Sequence, residues 1–163
     1  MKKTSIIFAA IVMMAIFATK VMAQSTASNG AFAQIKTAIT LTSSATLEFG
    51  AMTSPTLVGT VVLSPAGIAT PTNMVLIGTR HAAAYAVAGV ADATYTISLP
   101  LATTLIDPVG GGTMVVDAFT SSKAMGTLTG GIDAFNVGAT LHIAPAQGLG
   151  DYAGTFDVTV VYN

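Results

Sequence analysis

The chain has 163 residues, no cysteine, 8% charged residues and a formal net charge of −1. The lack of cysteine excludes disulfide bonds and lipid attachment through an N-terminal cysteine, so packing alone must stabilise the fold. After residue 23 only Lys36, Arg80 and Lys123 are basic, against seven acidic residues, a net charge of 3 − 7 = −4. Three scattered cations cannot form a track for phosphate groups, and we expect no nucleic-acid partner. So few charges on a surface favour self-association.

The first 23 residues have the pattern of a signal peptide. Lys2 and Lys3 precede an apolar run from Ile6 to Ala18, and Val21-Met22-Ala23 provides a cleavage pattern. The run is shorter than the roughly 20 residues that span a bilayer. We therefore predict cleavage after Ala23, export to the periplasm, cell surface or medium, and no integral membrane span in the mature chain.

The next residues predict an arm followed by one domain. Residues 24–32 are mainly small and polar and are typical of a flexible arm. Apolar and polar residues alternate from Ala31 to Leu41, which predicts either one long strand or an arm that continues into a strand. We assign residues 33–163 to a single domain.

Short β-strands are predicted along the rest of the chain. Gly, Pro, Asn and Asp separate these segments, and no amphipathic helix interrupts them. The predicted strands are 47–50, 59–64, 73–78, 82–88, 93–99, 113–120, 134–144 and the C-terminal segment. Such a series without helices predicts an all-β, antiparallel sandwich.

The C-terminal segment is the most regular strand pattern of the chain. Apolar side chains occupy alternate positions, so one face of the strand is expected to be buried. Gly150 opens the segment where the chain must turn. The inward-facing residues are Tyr152, Phe156, Val158, Val160 and Tyr162.

No residue pattern predicts catalysis, a metal site or a cofactor. The two histidines, His81 and His142, lack the additional ligands of a zinc site. There is no Gly-x-Ser-x-Gly elbow, and the aspartates stand at segment junctions where Asp is a common turn residue. We predict that the protein is not an enzyme and binds no cofactor.

The C-terminal segment resembles the end of chaperone-usher pilus subunits, which have a penultimate tyrosine and a glycine fourteenth from the C-terminus. Tyr162 and Gly150 occupy those positions. The chain is also similar to secreted bacterial domains related to spore coat protein U. The similarity lies in LEFG at 47–50, GTVVLSP at 59–65, ATYTISLP at 93–100 and the closing alternating segment.

This resemblance implies an immunoglobulin-like sandwich without its last strand, whose groove is filled by an arm of another subunit. The groove strand would then carry Gly150, Tyr152 and the alternating residues up to Tyr162, and the donor candidates are Ala31, Phe32, Ala33 and Ile35. The chain differs from many pilins in lacking a disulfide and in having a polar arm. Either the 31–41 run is the donor, or the chain completes its own sandwich and shares only the fold.

The favoured function is that of an exported structural subunit of a bacterial surface filament or coat that assembles by strand exchange. The expected partners are further copies or related subunits, with a periplasmic chaperone and an usher. One alternative is a self-complete secreted sandwich that binds a carbohydrate or a protein at the cell surface. Another is a small outer-membrane β-barrel, although the chain has four tyrosines and no tryptophan for an aromatic girdle.

Overall fold

Every regular element that the structure describes is a β-strand. The computed structural model describes residues 24–163, and the predicted signal peptide lies outside them. The strands are β1 (Thr40–Ala45), β2 (Ala51–Met52), β3 (Gly59–Leu63), β4 (Ala69–Thr72), β5 (Leu76–Ile77), β6 (Ala83–Ala88), β7 (Thr94–Ser98), β8 (Ala102–Ile106), β9 (Thr113–Ser121), β10 (Met125–Thr127), β11 (Ile132–Ile143) and β12 (Thr159–Tyr162). All their pairings are antiparallel, so the predicted all-β, antiparallel class is confirmed. Within residues 24–163 there is no helix of the length and apolarity needed to cross a membrane.

The long strand β11 joins most of the fold because both of its edges are paired. On one edge its first half pairs with β6 and its second half with β3. On the other edge β11 pairs with β9 from Val137 onward. The sheet continues through β1, beside β6, through β4, beside β3, and through β8, beside β9. A three-stranded sheet has the order β10-β7-β12, and β2 pairs with β5.

The chain passes from one layer to the other at Pro100. β7 and β8 stand on either side of this proline, and β7 pairs with β10 while β8 pairs with β9. Proline has no N–H to donate to a ladder, so pairing lapses there. A bulge at Ala118, whose φ is 47°, shifts the β9–β11 register between Gly138 and Thr140 and adds local twist. The result is a curled sheet consistent with a β-sandwich.

The interior consists of two apolar clusters. One has Val61, Leu63 and Leu141 among its buried members, and the other is built around Tyr95, Leu128 and Phe135. The half-buried ring of Phe119 packs against both clusters. The strand alternation seen in the sequence therefore builds one continuous core.

The N-terminal segment, residues 24–38, differs from the prediction of a strand over 31–41. The first strand begins only at Thr40, and the side chains of residues 24–38 are all exposed without regular structure. Alternation alone does not form a strand, because a strand also needs a neighbour for its backbone hydrogen bonds. The sequence prediction also missed β2, β4, β8 and β10. It extended β5, which comprises only Leu76 and Ile77, and the strand predicted over 47–50 is only an isolated bridge at Glu48.

Candidate functional site: a groove between two unpaired strand edges

The first wall of the groove is formed by residues 40–53. Along its length this segment is hydrogen-bonded to residues 75–88 through β1–β6, a bridge between Glu48 and His81, and β2–β5. The backbone N–H of Thr53 continues the pairing by donating to the carbonyl oxygen of Val75 at 3.0 Å. No other strand among residues 24–163 pairs with the opposite edge of this wall.

The second wall is the C-terminal segment, residues 150–162. Ala153 exchanges two backbone hydrogen bonds with Ile106, at 2.8 and 3.1 Å, and further along β12 pairs with β7. β12 is the last strand in its sheet, so within the described part of the chain its outer edge has no strand partner. Both walls therefore present a free edge.

Backbone polar groups of the second wall point toward the free side. Ala153 bonds toward β8, and the N–H of Asn163 bonds toward β7, to the carbonyl oxygen of Thr94 at 3.2 Å. Because backbone groups alternate sides along an extended strand, the even-numbered residues from Tyr152 to Tyr162 direct theirs away from β7 and β8. The side chains of these even-numbered residues point inward. A strand added at this edge could therefore bond to their backbone groups and cover their apolar side chains at the same time.

The floor of the groove is apolar and incompletely covered. Phe156, Val158, Val160 and Tyr162 pack against the cluster around Tyr95 but remain half-buried, whereas the alternating residues between them are exposed. The ring of Phe156 lies 4.8 Å from that of Phe119, measured between centroids. Ile39 and Leu41, at the start of the first wall, are half-buried against the same cluster. Side chains from both walls thus meet one apolar floor, and no strand within residues 24–163 covers it.

The groove widens at the end near Gly150, here called the Gly150 end. A cavity of about 450 Å³ lies there between residues 47–54 of the first wall and residues 147–152. Its floor is apolar and consists of Leu105, Met114, Leu141 and Ile143. At the rim, the side-chain amide of Gln147 donates to the hydroxyl oxygen of Tyr152 at 2.8 Å, and that hydroxyl donates to the carbonyl oxygen of Gly148, also at 2.8 Å. The rim is internally bonded, which leaves the apolar floor as its main recognition feature.

Gly150 fits against a buried carboxylate. Asp107, only 3% exposed, accepts hydrogen bonds from the backbone N–H groups of Val109 and Gly110, both at 2.9 Å, and so fixes the turn between β8 and β9. A Cβ atom at position 150 would collide with this carboxylate group. Glycine is therefore required where the second wall crosses the turn.

Tyr162 closes the other end of the groove, here called the Tyr162 end. Its hydroxyl oxygen accepts a hydrogen bond from the N–H of Val90 at 2.7 Å, and the hydroxyl donates to the carbonyl oxygen of Thr37 at 3.1 Å. A Cβ atom at Gly89 would collide with this hydroxyl group. The Tyr162 side chain thus holds the last strand close to the point where the N-terminal segment joins the first wall.

A polar cluster supports β7, the strand on which β12 rests. The fully buried Tyr95, which stands opposite Tyr162 in the ladder, donates from its hydroxyl to Asp133 Oδ2 at 2.9 Å. Lys123 Nζ contacts both carboxylate oxygens of Asp133, at 2.7 and 2.9 Å, and the N–H of Ala134 donates to Oδ1 at 2.8 Å. These contacts connect β7 to β11 and to the loop before β10.

The cluster shifts the pKa values of two of its members. Burial raises the pKa of Tyr95. The hydrogen bond to Asp133 and the negative charge of Asp133 raise this pKa further. Burial by itself would raise the pKa of Asp133, but the hydrogen bonds from Lys123, Ala134 and Tyr95 and the charge of Lys123 lower it overall. The cluster therefore favours a neutral tyrosine beside an ionised carboxylate.

The other sheet edges are less suited to adding a strand. β4 lies at an edge and contains Pro71, which has no N–H to offer, and β10 has only three residues. β1 and β12 contain neither proline nor a charged residue. Strands β1 and β12 thus lack these forms of edge protection, and the charged residues Glu48, Asp151 and Asp157 lie elsewhere along the two walls.

Each of the two histidines contacts one carboxylate group through its Nε2 atom. His81 Nε2 lies 3.1 Å from Glu48 Oε2, and His142 Nε2 lies 2.8 Å from Asp117 Oδ1. Among residues 24–163 no three His, Cys, Asp or Glu side chains are grouped to hold a metal ion.

Comparison with known families gives one result. A family model described as a domain of unknown function, DUF4402, matches residues 39–162. The chain belongs to this family. The comparison with curated proteins and the comparison with solved structures found no match. The region that the family model matches contains both walls of the groove and leaves the whole N-terminal segment, residues 24–38, outside.

In this DUF4402 domain, the six residues that the sequence assigned to the groove strand lie together along the second wall. The donor candidates Ala31, Phe32, Ala33 and Ile35 are all exposed. Sequence reasoning missed the first wall as part of the site, although the alternation of Leu47, Glu48 and Phe49 indicated a strand there. It also missed Asp107 and Thr37, for which local sequence carries no signal of a distant partner.

Proposed function

We propose that the protein is an exported structural subunit of a bacterial surface filament or coat, of the pilin-like and spore coat U-like kind. In this proposal the N-terminal segment of one copy enters the groove of another and completes its sandwich. The observation that carries the proposal is a pair of edges, in residues 40–53 and 150–162, that have no further strand partner among residues 24–163 and lie on either side of an apolar floor. Strand addition supplies both the hydrogen bonds and the apolar cover that such a groove lacks.

The N-terminal segment has the properties of a donor. It makes no strand pairing of its own, and the side chain of the donor candidate Ile35 is 100% exposed. Large apolar side chains with that exposure are favourable to bury when a partner is present. From residue 24 to residue 36 the segment is 13 residues long. In an extended strand this is about 43 Å, enough to follow the second wall from Tyr162 to Gly150.

Folding back into its own groove is disfavoured by the local sequence. Thr37 is already at the Tyr162 end through its hydrogen bond to Tyr162, so the chain would have to reverse immediately before β1. Residues 35–42 read IKTAITLT and contain no Gly, Pro, Asn or Asp to form a tight turn. A second copy of the chain is therefore the donor in this proposal.

An uncovered groove also implies protection before assembly. Free edges next to apolar floors aggregate unless they are covered. For an exported chain, a periplasmic chaperone could cover the groove by inserting one of its own strands. At an usher, the N-terminal segment of another subunit would then replace the chaperone strand.

The proposal is tested with the chain that begins at Gln24. Light scattering coupled to size-exclusion chromatography should show oligomers whose mass increases with concentration. The matched control replaces residues 24–36 by a Gly-Ser segment of equal length and should give monomers with the same circular dichroism spectrum. A chain that stays monomeric at all concentrations, or oligomers that persist in the control, would refute strand exchange.

A further inference from the structure

We infer that the donor enters antiparallel to the second wall, with Ile35 in the wide cavity at the Gly150 end and Phe32 on the outer face. This inference rests on the proposed function and adds the direction, register and specificity-determining side chain of the exchange.

The direction follows from which end of the groove is open. At the Tyr162 end, the acceptor's own chain arrives through Thr37, whose carbonyl oxygen is bonded to the Tyr162 hydroxyl. At the Gly150 end the groove opens into the cavity of about 450 Å³. A donor must leave the groove at its C-terminal end to reach its own body, so this end belongs at Gly150. The donor then runs opposite to the second wall and in the same direction as the first wall, which runs from the Tyr162 end to the Gly150 end.

The face that the donor buries follows from the alternation of its residues. From residue 31 to residue 36 the odd-numbered positions are Ala31, Ala33 and Ile35 and the even-numbered ones are Phe32, Gln34 and Lys36, while Asn29 precedes them on the odd face. Burying the even face would place an amide and a cation on an apolar floor without partners, which is strongly unfavourable. The odd face therefore points inward, and Phe32 points outward.

The register of the donor against the second wall follows from the sizes of the side chains that face each other. Ile35 is the only bulky side chain on the odd face, and in the antiparallel direction it lies toward the Gly150 end, where the cavity is. With Ile35 opposite Tyr152, Ala31 stands opposite Phe156 and Ala33 opposite Gly154. A small donor residue thus faces the large ring of the second wall, as close packing requires. Ile35 is therefore the specificity-determining side chain: a strand from another protein would need a side chain of similar size at this position to fill the cavity.

Disulfide trapping tests the register cleanly because the natural chain contains no cysteine. Chains from Gln24 carrying I35C are mixed under oxidising conditions with chains carrying M52C, whose side chain lines the cavity. The expected product is a mixed disulfide dimer. F32C with M52C and I35C with V160C are the controls and should give at least tenfold less mixed product. Efficient disulfide formation requires Cβ atoms about 4 Å apart. The yields therefore report both the position of the donor along the groove and the face that it turns inward.

Two outcomes would overturn the inference while leaving strand exchange intact. Preferred trapping of I35C by V160C would show the opposite direction, and preferred trapping of F32C by M52C would show the opposite face. If the natural chain from Gln24 forms no oligomers in light scattering, the proposed function and this inference both fail.

A second measurement separates Ile35 from general hydrophobicity. Ile35→Asp and Phe32→Asp each place one charge on a side chain that is almost fully exposed in the single chain, so neither should change its fold. We expect Ile35→Asp to raise the concentration for half-assembly at least tenfold and Phe32→Asp to change it less than threefold. Equal effects of the two variants would contradict the assignment of faces.

Discussion

The hydroxyl group of Tyr162 connects the last strand to Thr37, to which it donates a hydrogen bond of 3.1 Å across 125 positions of the sequence. The same oxygen accepts a hydrogen bond from the N–H of Val90 at 2.7 Å. One phenol group thereby fixes the C-terminal strand, the turn after β6 and the beginning of the first wall. The width of the groove at this end depends on that group.

Tyr162→Phe should therefore destabilise the domain. The substitution keeps the ring but leaves the part-buried N–H of Val90 without its partner, and we expect a loss of about 1–3 kcal/mol in the free energy of unfolding. Urea denaturation measures it. Tyr85→Phe is the control, because Tyr85 contributes its ring, stacked 5.3 Å from Phe135 between centroids. Equal losses in the two variants would contradict the role of the Tyr162 hydroxyl.

Gly150→Ala should also destabilise the domain, by about 1–3 kcal/mol, because the new methyl group collides with the carboxylate of Asp107. Gly148→Ala in the same loop is the matched control. A Cβ atom there has its nearest neighbour, the Tyr152 hydroxyl oxygen, at an ordinary 3.6 Å. Thermal unfolding of both variants provides the comparison, and a Gly150→Ala midpoint as high as that of Gly148→Ala would disprove the packing argument.

The contribution of Asp133 to stability should depend on pH. Its pKa in the folded chain lies below the ordinary value of 3.8, so the folded state favours the ionised carboxylate. The resulting stabilisation is present above pH 3.8 and is lost as the pH falls through the lower folded pKa.

Urea denaturation between pH 7 and pH 2 tests this dependence. Asp133→Asn should lower stability at pH 7 by about 1–3 kcal/mol and should differ less from the natural chain at pH 2. Asp92→Asn serves as the control, since Asp92 is exposed and its φ of 61° is tolerated by asparagine. A constant difference between Asp133→Asn and the natural chain across this range would be evidence against the linkage.

Strand exchange should make thermal stability depend on concentration. Donor binding stabilises the folded state by mass action, so each tenfold increase in concentration adds up to about 1.4 kcal/mol. For a domain of this size the unfolding midpoint should rise by up to about 5 °C per tenfold increase in concentration. Scanning calorimetry of the chain from Gln24 measures this, with Ile35→Asp as the control whose rise should begin at a concentration at least tenfold higher. A midpoint independent of concentration in the natural chain would argue against exchange.

The sequence predicted the elements of this fold better than their partners. The alternation in β7, β9 and β11 was sufficient, because each of these strands has a neighbour and one buried face. The same alternation from Ala31 to Leu41 predicted a strand that does not form before Thr40, since no strand among residues 24–163 lies beside it. The alternation of apolar and polar residues shows which face a segment could bury as a strand. Whether the strand forms depends on whether the folded chain places another strand beside it.

The candidate site shows the same limit. The C-terminal segment was predicted as one wall from its alternation and from the positions of Gly150 and Tyr162. The opposite wall could not be predicted, because its place beside that segment depends on the pairing of residues 40–53 with 75–88. Asp107 was interpreted as a turn residue, and the turn is where it lies, but its contact with Gly150 arises only in the folded chain.

Pro71 has a consequence for the shape of any assembly. It lies in the edge strand β4, beside β3, and deprives that edge of a backbone donor. Subunits that bind a neighbour through the groove but not through the β4 edge would assemble in one dimension. The assembly would be a filament one sandwich thick and not a two-dimensional sheet.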